Sequence, residues 1–243
     1  MRRLPALLAL LRAAAAHAQD AATRVNDMQS WVSLGVQHSL RKGTDLSLKY
    51  TLRDYGFHSA FKGSYYYLQL RQKLDRHWAV DGQVRVMDSP TANFFRLEGG
   101  LRYRAKTGDW TIYTRTAFFN ERRQLAFGEH VRNDPTLYWR QRMHASLDLP
   151  HKLTAWASAE SWIRLNAHQP KVNRVAWMGG VRRGLRKGGE AGLTYLYQPE
   201  YTTQPLKSVH ALITELEWDL DRLLRKKKGR KKGGGEPDRD GGQ

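Results

Sequence analysis

Two stretches decide the fold: Trp78-Ala79-Val80-Asp81-Gly82-Gln83-Val84-Arg85-Val86-Met87 and, a few residues later, Phe95-Arg96-Leu97-Glu98-Gly99-Gly100-Leu101-Arg102-Tyr103-Arg104. In the first, Trp78, Val80, Gly82, Val84 and Val86 share one parity, and Ala79, Asp81, Gln83, Arg85 and Met87 the other. In the second, Phe95, Leu97, Gly99, Leu101 and Tyr103 alternate with Arg96, Glu98, Gly100, Arg102 and Arg104. Successive side chains of a strand point to opposite faces, so each stretch is a strand with one apolar and one charged face.

The same period of two runs outward in both directions. Leu46, Leu48, Tyr50 and Leu52 alternate with Ser47, Lys49, Thr51 and Arg53, and Tyr66, Leu68 and Leu70 alternate with Tyr67, Gln69 and Arg71. Downstream, Trp110, Ile112 and Phe118 oppose Thr111, Tyr113 and Arg115. Leu137, Trp139, Met143 and Ala145 oppose Tyr138, Arg140, Arg142 and His144. Val175, Trp177 and Val181 oppose Arg174 and Arg182, and Leu212, Leu216, Trp218 and Leu220 oppose Glu215 and Glu217. The stretch from Leu153 to Arg164 reads as a strand of ambiguous phase, because Trp156 and Trp162 fall on its polar side. Each segment is about 10 to 13 residues long, enough to cross a bilayer when tilted.

The connections alternate in length. Arg41 to Thr44, Asp75 to His77, Lys106 to Asp109, Pro150 to Lys152 and Leu185 to Gly189 are tight turns. Asp54 to Gly63, Ser89 to Asn93, Asn120 to Pro135, Leu165 to Val172 and Pro199 to Pro205 are longer links. Short turns at one end and longer loops at the other are the build of an outer-membrane barrel. Aromatic placement agrees. Trp78 and Trp110 follow short turns, and Phe94-Phe95, Phe118-Phe119 and Tyr201 lie near long links, as rings at the two membrane interfaces do. The expected fold is an all-β, antiparallel up-and-down transmembrane β-barrel of about 10–12 strands. Counting Met28 to Leu40 as the first, eleven segments emerge, whereas bacterial single-chain barrels have an even number. Either residues near Thr23 to Val25 add a strand, or one segment lies outside the barrel.

The ends fit export. Met1-Arg2-Arg3 is a cationic start, Leu4 to Leu11 an apolar run, and Ala16-His17-Ala18 a small-x-small cleavage site, which makes residues 1–18 a signal peptide. Residues 19–220 then form the barrel, and residues 221–243 a basic, glycine-rich tail that composition marks as disordered. The formal charge is +18, and removing Arg2, Arg3 and Arg12 with the signal leaves +15. The absence of cysteine excludes thiol catalysis, disulfides and cysteine-ligated metal.

The run Trp31-Val32-Ser33-Leu34-Gly35-Val36, the strand from Leu46 to Tyr55 and the hairpins after it resemble the uncharacterised outer-membrane barrel family numbered 2490 among domains of unknown function. The resemblance spans most of the mature chain and rests on strand texture. It implies a barrel, and a family to which no activity is assigned.

The charged faces hold the candidate chemistry. Arg53, Arg71, Arg85, Arg96, Arg102, Arg104, Arg115, Arg140, Arg142, Arg174 and Arg182 all sit on polar faces, and in a barrel they point into the lumen. They either form an electropositive path that favours small anionic solutes or fill the interior by pairing with Asp81, Glu98, Asp148, Glu160, Glu190, Glu215 and Glu217. Arginines outnumber these carboxylates, so positive potential should remain. Two other classes stand beside this reading. One is an outer-membrane lipid hydrolase built on His58 and Ser59, and the other a basic soluble secreted β-protein. No catalytic set, cofactor motif or metal-ligand spacing stands out. His144 with His151, or Glu129 with His130, would meet only by accident of folding. The run from Arg225 to Lys232 suits anionic lipid or lipopolysaccharide headgroups better than nucleic acid in an exported protein.

Overall fold

The computed structural model describes residues 25–56, 60–90, 92–125, 135–167, 170–203 and 205–225. The segments expected to be the signal peptide and most of the basic tail lie outside these residues, as do His58, Ser59, Glu129 and His130.

Eleven strands close into one barrel: β1 (Val25–Arg41), β2 (Thr44–Tyr55), β3 (Ala60–Lys73), β4 (Trp78–Asp88), β5 (Ala92–Thr107), β6 (Trp110–Leu125), β7 (Thr136–Leu149), β8 (Leu153–Arg164), β9 (Lys171–Gly184), β10 (Gly189–Glu200) and β11 (Lys207–Asp219). Consecutive strands pair antiparallel, and β1 closes the sheet against β11. The seam is parallel, in register from Val25 opposite Lys207 to Gln37 opposite Asp219. The parity problem is thereby resolved in favour of the odd count. All eleven segments belong to the barrel, no twelfth strand is needed among the described residues, and the first and last strands run the same way.

Short turns gather at one rim, here the turn end, and longer connections at the other, the loop end. Gly43 supplies the left-handed conformation (φ 82°) that a two-residue hairpin between β1 and β2 requires. Between β3 and β4, one carboxylate oxygen of Asp75 accepts the backbone N–H groups of His77 (2.6 Å) and Trp78 (2.7 Å). Those two bonds favour the charged form and hold the Asp75 carboxyl below the ordinary carboxylate range. The side chain thus organises the turn as an Asx turn does.

The strands are longer at the loop end than their sequence suggests. β6 continues to Leu125, so Glu121 belongs to a strand, opposite Arg96 of β5, rather than to a loop. At the other end, Leu220 leaves the sheet. A short helix, α1 (Leu220–Arg225), follows β11, its start capped by Asp219, whose carboxylate accepts the N–H of Asp221 at 3.0 Å and of Arg222 at 3.3 Å. Residues 221–225 are therefore folded rather than part of a disordered tail, because a capping carboxylate and a partner on β1 are both within reach.

The barrel is apolar outside and charged inside, the inverse of a soluble protein. Leu48, Leu70, Leu97, Ile112, Phe118 and Met143 stand exposed on the outer surface, while Asp81, Arg96, Glu98, Arg115 and Glu160 are buried inside. This is the distribution a hydrocarbon surround demands of a closed sheet. The ambiguous strand β8 takes a definite phase: Trp156 and Trp162 face the lumen. Each paired phenylalanine near a long link splits between faces, Phe118 outward and Phe119 fully buried inward.

Candidate functional site

A lumen of about 1430 Å³ runs from Val25, Asp27, Lys62 and Lys207 at the loop end to Lys152, Leu185, Trp218 and Arg222 at the turn end. Ten of the eleven arginines singled out on polar faces line it: Arg53, Arg71, Arg85, Arg96, Arg102, Arg115, Arg140, Arg142, Arg174 and Arg182. Arg104 does not. It stands exposed near the end of β5, its backbone bonded to the His77 turn, one residue past the last pair that β5 makes with β4.

The wall from β4 to β8 holds a continuous network. Arg115 on β6 crosses the intervening β5 to reach Asp81 on β4, its Nε donating to both carboxylate oxygens at 3.1 and 3.0 Å. Its other terminal nitrogens bond Asp81 and Glu98. Glu98 also accepts from Arg140, whose second nitrogen lies 3.7 Å from Glu160, and Glu160 accepts from Arg142 and from the Trp162 indole. Arg102 stands 3.6 Å from Asp81. Toward the loop end, Glu121 accepts from Arg96 Nε at 3.0 Å and has Arg85 at 3.5 Å. Six arginines therefore share four carboxylates, and bidentate contacts fix the geometry.

Small residues and rings make this crowding possible. A Cβ on Gly100 would stand 2.9 Å from Arg115 Nη2, so only glycine lets the guanidinium lie across β5. Glu217 lies over Gly35 of the neighbouring strand in the same manner, with a contact of 2.7 Å from such a Cβ to its Cγ. Trp162 is held between Arg96 (4.5 Å to the ring centroid) and Arg174 (4.0 Å), and its edge packs on Phe119. Arg53 is stacked between Trp31 (4.6 Å) and Tyr65 (4.8 Å) and donates to Gln29 Oε1 at 2.8 Å. A cation over a ring face keeps its charge while losing water, which is how arginines sit in this wall without a carboxylate each. Arg53 and Arg71 have no ion-pair partner among the described residues.

The other wall differs. Arg174 pairs with Glu200, Arg182 with Glu190 and Glu215, Lys49 with Glu215, and Lys62 with Asp27. Between them lies an apolar patch on the inner surface formed by Ala176, Leu196, Ala211 and Ile213, with Trp31 and Met178 against it. Reading the polar faces alone missed Lys62, Glu121 and Glu200, which were assigned to connections, and Asp27 and Lys207, which lie just outside the strand segments as they were read. Extending the alternation outward by one or two pairs would have found them. Asp148, counted among the interior carboxylates, is exposed at the turn end, where Lys106 pairs with it. His144 is stacked between Tyr113 (4.4 Å) and Trp156 (5.3 Å), and among the described residues no three histidine or acidic side chains converge as metal ligands do.

Among solved structures, that of the NanC porin is similar to this chain, at 13% sequence identity with a TM-score of 0.48, covering 70% of this chain and 86% of that one. No protein-family model matches the chain, and no curated protein matches it.

Proposed function

We propose that this chain is an exported outer-membrane barrel whose lumen passes small solutes and prefers anions. The observation that carries the reading is the charge of the inner wall: six arginines share four carboxylates, and Arg53 and Arg71 add two cations that form no ion pair within 4 Å among the described residues. A low-dielectric wall focuses such a surplus along the path and raises the local concentration of anions. The apolar outer face supports a lipid surround, and the outward partners are then outer-membrane lipid and lipopolysaccharide. This reading keeps the chain beside the uncharacterised barrel family that its strands resemble. It assigns the barrel no catalytic role.

The test is the reversal potential of the purified protein in planar bilayers under a potassium chloride gradient. The expected sign is anion preference, weakened when Arg53→Gln and Arg71→Gln are combined. These two positions are chosen because neither change strands a carboxylate. Cation preference, or a wild-type protein that inserts and does not conduct, overturns the reading.

A further inference from the structure

The lumen's charges are sorted by strand as well as being in surplus. Its lining acids concentrate on three adjacent strands, β10, β11 and β1, which contribute Asp27, Glu190, Glu200, Glu215, Glu217 and Asp219 against the single base Lys207. The remaining strands, β2 to β9, contribute twelve lining bases against Glu121 and Glu160, with Asp45, Asp81 and Glu98 buried behind them. Because the sheet is closed, β11 faces β5 and β6 across the lumen.

Ion pairs at the two borders of these sectors, such as Lys49 with Glu215 and Arg174 with Glu200, soften the step between them. They do not remove it. Glu217 on the acidic side and Arg71 on the basic side have no ion-pair partner among the described residues, and each stands two residues from the turn-end limit of its strand. The glycine at position 35 lets Glu217 pack closely over the neighbouring strand, and among the described residues no ion pair reaches it, the paired carboxylates beside it on β11 being Glu215 and Asp219. Arg102, across from β11, shares Asp81 with Arg115 and adds to the basic side at the same half of the barrel.

We propose that this transverse separation makes the turn-end half of the lumen a selectivity site for amphoteric solutes, with the anionic group of the solute on Arg71 and Arg102 and its ammonium on Glu217. The inference rests on the pore reading and refines it. A uniformly positive tube attracts an anion and repels an ammonium, so a zwitterion gains nothing there. A tube with opposite walls orients the zwitterion and lowers its energy at both ends at once.

Liposomes carrying the full chain test it, with flux measured above that of protein-free liposomes for three solutes of nearly equal size: 4-aminobutyrate, butyrate and butyramide. The zwitterion is expected to cross about threefold faster than the neutral amide, a modest case of electrostatic steering. Glu217→Gln should abolish that advantage while leaving butyrate flux equal or higher, and Glu217→Lys should push the zwitterion below the amide. Arg71→Gln should slow butyrate and the zwitterion together. Equal flux of zwitterion and amide in the wild type overturns the proposal, as does a Glu217→Gln variant, verified as heat-modifiable, that keeps the advantage. If butyramide crosses no faster than in protein-free liposomes, the pore reading falls and takes this proposal with it. Faster butyrate with no zwitterion advantage overturns this proposal alone.

Discussion

The guanidinium of Arg115 lies flat across Gly100, with 2.9 Å between its Nη2 and the place where a Cβ would stand, and from there it holds Asp81 on the far side of the intervening strand. Gly99, its neighbour in sequence, faces outward, and a Cβ there would meet nothing within 4 Å. Gly100→Ala should therefore destabilise the barrel by ~1–3 kcal/mol, the cost of overpacking a filled site. Gly99→Ala should change stability by no more than ~0.5 kcal/mol, as surface substitutions do. Urea midpoints of the two variants check this, and equal midpoints would show that Arg115 can leave the glycine freely.

Asp81→Asn tests the network from its acidic side. The Asp81 side chain is fully buried and serves both Arg115 and Arg102. Removing its charge leaves the two guanidiniums sharing no carboxylate at this point, at a cost of about 3–5 kcal/mol for a broken buried pair. The exposed Lys106–Asp148 pair is the control, since Asp148→Asn should leave the midpoint unmoved. A midpoint equally insensitive to both changes would mean that solvent reaches Asp81.

Facing is tested by labelling. Single cysteines at Leu48, Leu70 and Leu101, which are outward and exposed, should react with lipid-soluble reagents in the bilayer. Cysteines at Thr51 and Gln69, which line the lumen, should not react. Neighbours on a strand point to opposite faces, so a reversed pattern would turn the barrel inside out.

Much of this architecture was legible in the sequence, for a simple reason. A strand between lipid and a polar lumen must alternate, so Val80, Val84 and Leu101 declared the outside and Asp81, Arg85 and Arg102 the inside. Tight turns were legible because Gly43 and Asp75 carry their own local chemistry. What failed to show was anything set by closure. The parallel pairing of β1 with β11 leaves no mark in either strand, since each strand's side-chain alternation is the same for a parallel or an antiparallel neighbour. The phase of β8 was hidden for a different reason. Trp156 and Trp162 look like outer-surface residues until Arg182 and Arg174 are found stacked on them. Arg104 shows the converse limit, since periodicity gives a residue's face but not its height in the wall.

The tether of α1 should respond to acid. Asp221 accepts the N–H of Ser39 at 2.8 Å and lies 2.8 Å from His38 Nδ1. The Ser39 bond first, and the histidine after it, hold the Asp221 carboxyl below its ordinary value. A carboxyl lowered in this way favours the docked state above the ordinary carboxylate range, and that contribution is lost as pH falls through the lowered value. A spin label at Leu223 should therefore be restrained at neutral pH and gain mobility only in strong acid, and Asp221→Asn should be mobile throughout. Mobility independent of pH in the wild type would show that contacts other than those of Asp221 hold it.

The parallel seam has a consequence for how such a chain can be recut. Where strands are even in number, the first and last end at one rim, and a short linker joins them into a permuted chain. Here β1 begins at the loop end and β11 finishes at the turn end, so Val25 and Asp219 are separated by the full height of the wall, roughly 40 Å of strand. No tight loop can join those two ends, and a circular permutant would have to thread its linker through the lumen or around the outside of the sheet. Reporter tags placed at the two ends of the barrel would likewise emerge on opposite sides of whatever sheet of lipid surrounds it.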